Sequence, residues 1–331
     1  MIKIKDIKLS KNKNLKWNHK HLLDVDSLTN FEYSTIFNLA DKYNKILNSK
    51  KNIKKTLNNV NIFNLFYEPS TRTRASFELA GKLLGANVIN IASNISATQK
   101  GESLVNTVKT INAMYSDIII LRHQDSGAAY LASQNTNTSV INAGDGSHAH
   151  PTQALTDSYT LLKKFNSLKN IKITMVGDIK HSRVARSNII LLTKLGAKIT
   201  LCGPKALIPK SFGSKSGEKP NWLNFKNINI EHNLKKAIKD TDVIMALRMQ
   251  TERQHSKNIP SLSEYAKKYQ ITNHHLSTVK KNCLLMHPGP VNEGVEISKE
   301  VAESSLSQIE EQVSNGVVIR MAILELIYLN K

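Results

Sequence analysis

The sequence predicts an α/β protein of two doubly wound parallel-sheet domains joined by a hinge, with helices from both ends of the chain packing on the first domain. Three observations predict it. The chain has 331 residues, which at about 150 residues per domain suggests two cores. Short β-rich runs alternate with segments of helical period through both halves, the pattern that parallel sheets covered on both faces require. No linker rich in Pro, Gly or Ser separates the halves, so the join is tight.

In chain order, a helical pattern at Leu28 to Leu47 precedes β-rich runs at Val60 to Phe66, Asn87 to Ile91, Asp117 to Arg122 and Ser139 to Asn142. The second half repeats the theme with Ile171 to Val176, Ala197 to Cys202, Thr241 to Ala246 and Asn282 to Met286. Helical patterns such as Arg183 to Leu195 lie between these runs, and a last helix is expected at Val313 to Leu329. The stretch Gly144 to Pro151, with two glycines and a proline suited to opening a helix, is the predicted hinge. This gives a first domain over residues 1–150, completed by a C-terminal helix over 310–331, and a second over 151–309. Ligands of such folds bind at the carboxyl ends of the strands.

Composition narrows the function classes. Hydrophobic residues make up 40% of the chain, and uninterrupted apolar runs such as Ile118 to Leu121 and Ile189 to Leu192 fall far short of the ~20 residues of a membrane span. No apolar core of signal-peptide length follows the basic start Met1-Ile2-Lys3-Ile4-Lys5-Asp6, and a cytoplasmic location is expected. Cys202 and Cys283 show neither CxxC nor metal-type spacing, which fits a reducing compartment. The net charge of +20 taken alone points to nucleic acid. However, the Lys residues are scattered without interleaved aromatics, so no specific nucleic-acid partner is expected. Only eight of the 46 basic residues are Arg, and all but Arg320 fall in four short clusters. An Arg kept among so many Lys marks a place where a planar, bidentate fork is needed.

The strongest cluster is Phe66-Tyr67-Glu68-Pro69-Ser70-Thr71-Arg72-Thr73-Arg74, where a strand runs through a Pro turn into a helix. Ser70, Thr71 and Thr73 supply hydroxyls, Arg72 a fork, and the helix start backbone N–H groups and partial positive charge: an anion site. It is not a P-loop, because G-x-x-x-x-G-K-[ST] is absent. Arg122 ends the third strand at a sheet's carboxyl edge, a position as compatible with structure as with ligand binding. In Asn142 to Leu155, His148 and His150 have the look of a metal pair, but without Cys or carboxylates in ligand spacing no metal is expected. Val176-Gly177-Asp178 opens a helix carrying Arg183 but lacks the G-x-G-x-x-G of a dinucleotide site. Arg248, like Arg122, stands just past a strand.

Six segments in order resemble the aspartate and ornithine carbamoyltransferases over nearly the whole chain, beginning with S-T-R-T-R at Ser70 to Arg74. The resemblance implies that Ser70, Thr71, Arg72 and Thr73 bind carbamoyl phosphate, with Arg122 on its phosphate and carbonyl oxygens. In G-D-G-x-x-x-H-P-T-Q, His150 would donate to the carbamoyl oxygen as that oxygen gains charge, and Gln153 would hold the carbamoyl amide. The turn His287-Pro288-Gly289-Pro290 would offer the Gly289 and Pro290 carbonyls to the carbamoyl NH₂. The loop Ser93 to Glu102 resembles one that enters a neighbouring subunit's site, so Ser96 and Lys100 are expected to serve a partner in a homotrimer. Arg183 would bind the amino-acid α-carboxylate. Leu247-Arg248-Met249-Gln250 matches the L-R-x-Q of the aspartate branch, with Arg248 on the β-carboxylate, Gln250 beside it and Lys100 also serving L-aspartate; the S-M-G element of the ornithine branch is absent. One departure is Glu293, where relatives carry the Arg of N-R-G-V-E-I.

The resemblance thus implies transfer of the carbamoyl group to L-aspartate, giving N-carbamoyl-L-aspartate and phosphate for pyrimidine synthesis, with catalytic roles for Arg72, Thr73, Lys100, Arg122 and His150. Closure at the hinge would bring the reactants together. No cofactor is called for. Regulatory chains or dihydroorotase are possible partners of the trimer.

Overall fold

A computed structural model describes residues 17–92, 102–209, 228–250 and 260–329. The chain divides into two compact units, one made of Ile2–Tyr159 with Val313–Lys331 and the other of Thr160–Gln312.

The first unit opens with α1 (Asn30–Asn48), whose start is closed by a capping box: Thr29 accepts from the Glu32 amide while the Glu32 carboxylate accepts from the Thr29 amide. There follow β1 (Asn61–Phe66), α2 (Thr71–Leu83), β2 (Asn87–Ala92), α3 (Leu104–Ala113), β3 (Ile118–His123), α4 (Ala128–Gln134), β4 (Ser139–Asp145) and α5 (Pro151–Phe165). The four strands form one parallel sheet in the order β2-β1-β3-β4. β1 and β3 are buried along nearly their whole length because both sheet faces are covered. Phe63, Leu65, Ile119, Leu121 and Val140 pack with Val108 and Ile111 of α3 in one cluster.

The second unit continues with β5 (Lys172–Val176), α6 (Arg183–Lys194), β6 (Lys198–Cys202), β7 (Ile228–Ile230), α7 (Leu234–Ile238), β8 (Val243–Ala246), α8 (Leu262–Tyr269), α9 (Asn273–Leu276), β9 (Leu284–Met286) and α10 (Lys299–Ala302). Its sheet is parallel, in the order β7-β6-β5-β8-β9. The final helix, α11 (Ile309–Leu329), begins in the second unit and has most of its length in the first.

Each strand run read from the sequence lies in an observed strand, with ends that differ by a few residues. β7 is an addition, three residues at the sheet edge and too short to show a period. The sequence places the domain boundary at Gly144 to Pro151; the compact units divide further along, inside α5, between Tyr159 and Thr160. Pro151 opens that helix, and nothing interrupts it at the boundary. By length and composition α11 could cross a membrane, with a mean hydropathy of 1.3 over its most apolar window. That window is 67% buried inside the protein, and its apolar residues, Ile319, Ile323 and Leu324 among them, are core residues. Cys202 and Cys283 are buried, and burial pushes both thiols up to about 12, which makes them inert packing groups at neutral pH.

Candidate active site

In the first unit the site starts from strand register. Phe66 of β1 pairs with Arg122 of β3, and the Tyr67 amide donates to the Arg122 carbonyl at 2.9 Å, so the Glu68–Arg74 segment and Arg122 leave the sheet at one edge. Arg122 is largely buried, its side chain 12% exposed. Its Nε lies 3.4 Å from Glu68 Oε2 and its Nη1 donates to the Ala143 carbonyl at 3.2 Å, which ties the ends of β1, β3 and β4 together.

Ser70 stands at the N-cap of α2, yet its hydroxyl makes no capping bond, and the first turn carries no acidic residue. Thr29, Ser103, Ser182 and Ser261 do cap their helices. The α2 amides and dipole are therefore left uncompensated by the N-cap side chain, as an anion site needs. Within that turn Thr73 is buried, whereas Thr71 and Arg72 are exposed.

His150 occupies the N-cap position of α5, where its carbonyl accepts from the Gln153 and Ala154 amides; the residue is 4% exposed. Gln153, in the first turn, is half-buried and donates from Nε2 to Asp157 Oδ1 at 2.8 Å. The two histidines have separate surroundings. His148 Nδ1 lies 3.1 Å from Asp145 Oδ2 and its Nε2 3.6 Å from Asp24, whose carboxyl burial pushes up to about 6. Two carboxylates thus stand beside His148, one of them distant in sequence, although no cluster of three or more metal-ligating side chains occurs among the described residues. Asp145 also accepts from the Gly127 and Ala149 amides and from Asn142, and so fixes the loop that leads to His150.

In the second unit Arg183 is the first residue of α6 and 4% exposed, on a helix start that Ser182 caps through the Ala185 amide. The ends of β5 and β8 approach closely. The Leu247 amide donates to the Val176 carbonyl at 2.8 Å, and a Cβ on Gly177 (φ 134°) would stand 2.8 Å from the Leu247 carbonyl oxygen, so only glycine fits. Gln250 Nε2 donates to the Arg248 carbonyl at 3.2 Å, which folds the loop back on itself. Met249, between them, donates its amide to Glu296 Oε1 at 2.9 Å. Glu296 also accepts from the amide and the side chain of Asn292, both at 2.8 Å. In the neighbouring turn the Gly289 amide donates to His287 Nδ1 at 2.8 Å just before a Gly289-Pro290 cis peptide, and the His287 amide donates to Gln312.

The structure thus brings Ser70, Thr71, Arg72, Thr73 and Arg122 to one sheet edge of the first unit, with His150 and Gln153 at the start of α5, which follows β4. Arg183, Arg248, Gln250, Gly289 and Pro290 lie past strand ends of the second. Ser96 and Lys100 lie outside the described residues, as does Arg253. Glu293 is exposed; the buried acid of its segment is Glu296. Glu68, Asp157 and Glu296 were missed. For Asp157 a signal existed in its i, i+4 spacing from Gln153.

Residues 20–163 match the family model for the carbamoyl-P binding domain of aspartate/ornithine carbamoyltransferase, and residues 169–327 match that for its Asp/Orn binding domain. The chain belongs to the aspartate/ornithine carbamoyltransferase family. Among its curated relatives in that family, the aspartate carbamoyltransferase catalytic subunit of Roseiflexus sp. is 48% identical over 92% of this chain and 94% of the relative. The protein of the same name from Desulfitobacterium hafniense is 46% identical over 94% and 96%. Of solved structures, the catalytic subunit of M. jannaschii aspartate transcarbamoylase superposes with a TM-score of 0.81 at 35% identity, covering 95% of this chain and 99% of that one. Aspartate transcarbamoylase from Trypanosoma cruzi, in complex with N-(phosphonacetyl)-L-aspartic acid, gives 0.80 at 26% identity over 92% and 94%. As a family member, this chain is a carbamoyltransferase, with its S-T-R-T-R helix start in the part that matches the carbamoyl-P domain and its L-R-M-Q loop in the part that matches the Asp/Orn domain.

Proposed function

We propose that this chain transfers the carbamoyl group of carbamoyl phosphate to the α-amine of L-aspartate, giving N-carbamoyl-L-aspartate and phosphate, the committed step of pyrimidine synthesis. The observation that carries the choice of amine is the Arg248-Met249-Gln250 loop past β8: a guanidinium there suits a second carboxylate, whereas a cationic ornithine side chain would want acids. The names of the relatives support the same choice.

In this reading the uncapped start of α2 and Arg72 hold the phosphate. Thr73, Arg122 and His150 donate to the carbonyl oxygen, each donor worth about 3 kcal/mol in the transition state. Gln153 and the Gly289 and Pro290 carbonyls take the carbamoyl NH₂. Arg183 binds the α-carboxylate of aspartate, and Arg248 with Gln250 the β-carboxylate. The bond from the neutral amine nitrogen to the carbonyl carbon forms, the carbon–oxygen bond to phosphate breaks, and one amine proton leaves with the phosphate, with no bond to a protein residue. Alignment of the two reactants accounts for roughly 7 to 11 kcal/mol of the barrier. Ser96 and Lys100 serve the site of a neighbouring subunit in a homotrimer, which acts in the cytoplasm, alone or with regulatory chains or dihydroorotase.

The test is phosphate release from carbamoyl phosphate with L-aspartate and with L-ornithine, next to Arg248→Ala. Release with aspartate alone, lost in the variant, is expected. Release with ornithine, or with neither amine, sinks the reading of the second unit.

A further inference from the structure

One buried charged pair of the first unit has no direct place in that chemistry. Arg320, on α11, is 4% exposed, and Asp157, on α5, is fully buried. The guanidinium donates from Nη1 to the Gly316 carbonyl at 2.8 Å, lies 5.0 Å from the centre of the Phe77 ring, and interacts electrostatically with Asp157. Burial pulls Arg320 down to about 10, still a cation at neutral pH. The helix makes room for it, because a Cβ on Gly316 would stand 2.6 Å from Nη1. Glycine inside a helix is destabilising relative to alanine. Burying two charges costs more, and apolar residues of the same volume would pack as well.

The neighbours of Arg320 suggest what the pair does. Phe77 lies one turn beyond Thr73 on α2, and Asp157 one turn beyond Gln153 on α5. Arg320 therefore lies over Phe77 of α2 and interacts electrostatically with Asp157 of α5, the two helices whose first turns make the carbamoyl-phosphate half-site. Asp157 in turn takes the Gln153 Nε2 hydrogen at 2.8 Å. An ionised carboxylate only accepts hydrogen bonds, so this contact decides which way round the Gln153 amide sits: nitrogen toward Asp157, Oε1 away from it. Oε1 is an acceptor, the group that an NH₂ needs and a methyl cannot use.

We propose that Asp157 and Arg320 are positioning residues that act through Gln153, holding its amide as an acceptor for the carbamoyl NH₂ and so selecting a carbamoyl over an acyl phosphate. The pair is thus a specificity device for the donor substrate. This rests on the reading that the first unit binds carbamoyl phosphate through Gln153. Loss of the charge at Asp157 leaves an amide that both donates and accepts, and Gln153 then loses its fixed orientation.

The experiment compares carbamoyl phosphate with acetyl phosphate, which has a methyl in place of the NH₂, as substrate and as competitor respectively. It is run on the full-length protein, on Gln153→Ala, on Asp157→Asn and on the double variant. Asp157→Asn is expected to raise KM for carbamoyl phosphate about tenfold, the size of one hydrogen bond, and to leave the inhibition constant of acetyl phosphate within about twofold. In the Gln153→Ala background the same change is expected to add little, because residues that act as a unit are not additive. Equal losses for both phosphates, or additive losses in the double variant, show a structural role and overturn the proposal. A wild type that turns over no carbamoyl phosphate overturns the functional reading itself, a different result from active protein with the wrong pattern. Gly316→Ala crowds Nη1 without removing a charge and is read in the same way should Asp157→Asn fail to fold; a smaller shift, again confined to carbamoyl phosphate, is expected.

Discussion

The candidate anion sites of the two units are built by opposite means. At the start of α2, in the first, the N-cap Ser70 leaves the helix uncapped, and the candidate ligand-binding groups are backbone amides with hydroxyls. At the start of α6, in the second, Ser182 caps the helix, and the candidate ligand-binding groups are side chains: Arg183 at that capped start, and Arg248 on a strand-end loop that Glu296 pins by the Met249 amide. The difference follows the ligands. A phosphate is satisfied by a diffuse nest of N–H donors, while two separate carboxylates of one small molecule need two forks a fixed distance apart. The first solution spends helix-end donors, the second buried carboxylates that hold loops.

Substitutions that respect one solution and break the other test this contrast. The largest effect is expected from Arg248→Ala, which removes a charged fork outright: kcat/KM for aspartate falls about 10²- to 10³-fold, while carbamoyl phosphate binding, followed by protection from thermal unfolding, is unchanged. Thr73→Ala should act through the other half of the reaction, with kcat about 10²-fold lower and KM for aspartate little altered in steady-state assays. The sharpest comparison is between the two N-cap serines. Ser182→Ala loses a capping bond and is expected to cost about 1 kcal/mol of stability in denaturant titrations. Ser70→Ala has no capping bond to lose, so stability stays within a few tenths of a kcal/mol of the wild type while KM for carbamoyl phosphate rises about five- to tenfold. Equal destabilisation by both changes would mean that Ser70 is an ordinary cap.

Much of this was legible in the sequence, for reasons visible in particular elements. β1 and β3 are parallel strands buried on both faces, so Ile118 to Leu121 reads as an unbroken apolar run. The candidate half-sites stood out because Arg is rare in a chain rich in Lys: Arg72 and Arg183 stand at helix starts, Arg122 at the end of β3 and Arg248 just past β8. The buried acids gave no such signal. Glu68 acquires meaning only from Arg122, Asp157 from Arg320 and Glu296 from Met249, partners far apart in sequence that the fold brings together. His148 beside His150 could be read as a metal pair, and the fold gives the two rings different surroundings: Asp145 and the sequence-distant Asp24 stand beside His148, while His150 is buried at the start of α5.

The smallest expected effect, and the one that separates the loop-holding acids, is in pH dependence. Burial pulls Asp145 upward, but hydrogen bonds from His148, Asn142 and the Gly127 amide, with the nearby imidazole charge, outweigh it and hold the carboxyl below its usual 3.8. Its contribution to stability is therefore present above pH 3.8 and is lost as pH falls through the lower, folded-state value. At Glu296 burial is again the largest influence, and the Met249 and Asn292 donors offset it only in part, so the carboxyl lies above its usual 4.5. The folded protein then holds a proton that the unfolded chain has released, and stability falls as pH rises from 4.5 through the folded-state value. Thermal melts at half-unit steps from pH 3 to 7 should show the two signs by difference. Asp145→Asn flattens the acid side of the curve, and Glu296→Gln flattens the fall just above pH 4.5, each by at most a few degrees. Flattening on the same side by both variants would mean that the Met249 and Asn292 donors outweigh burial at Glu296, and that the second unit holds its loops with an acid stabilised in the same way as Asp145.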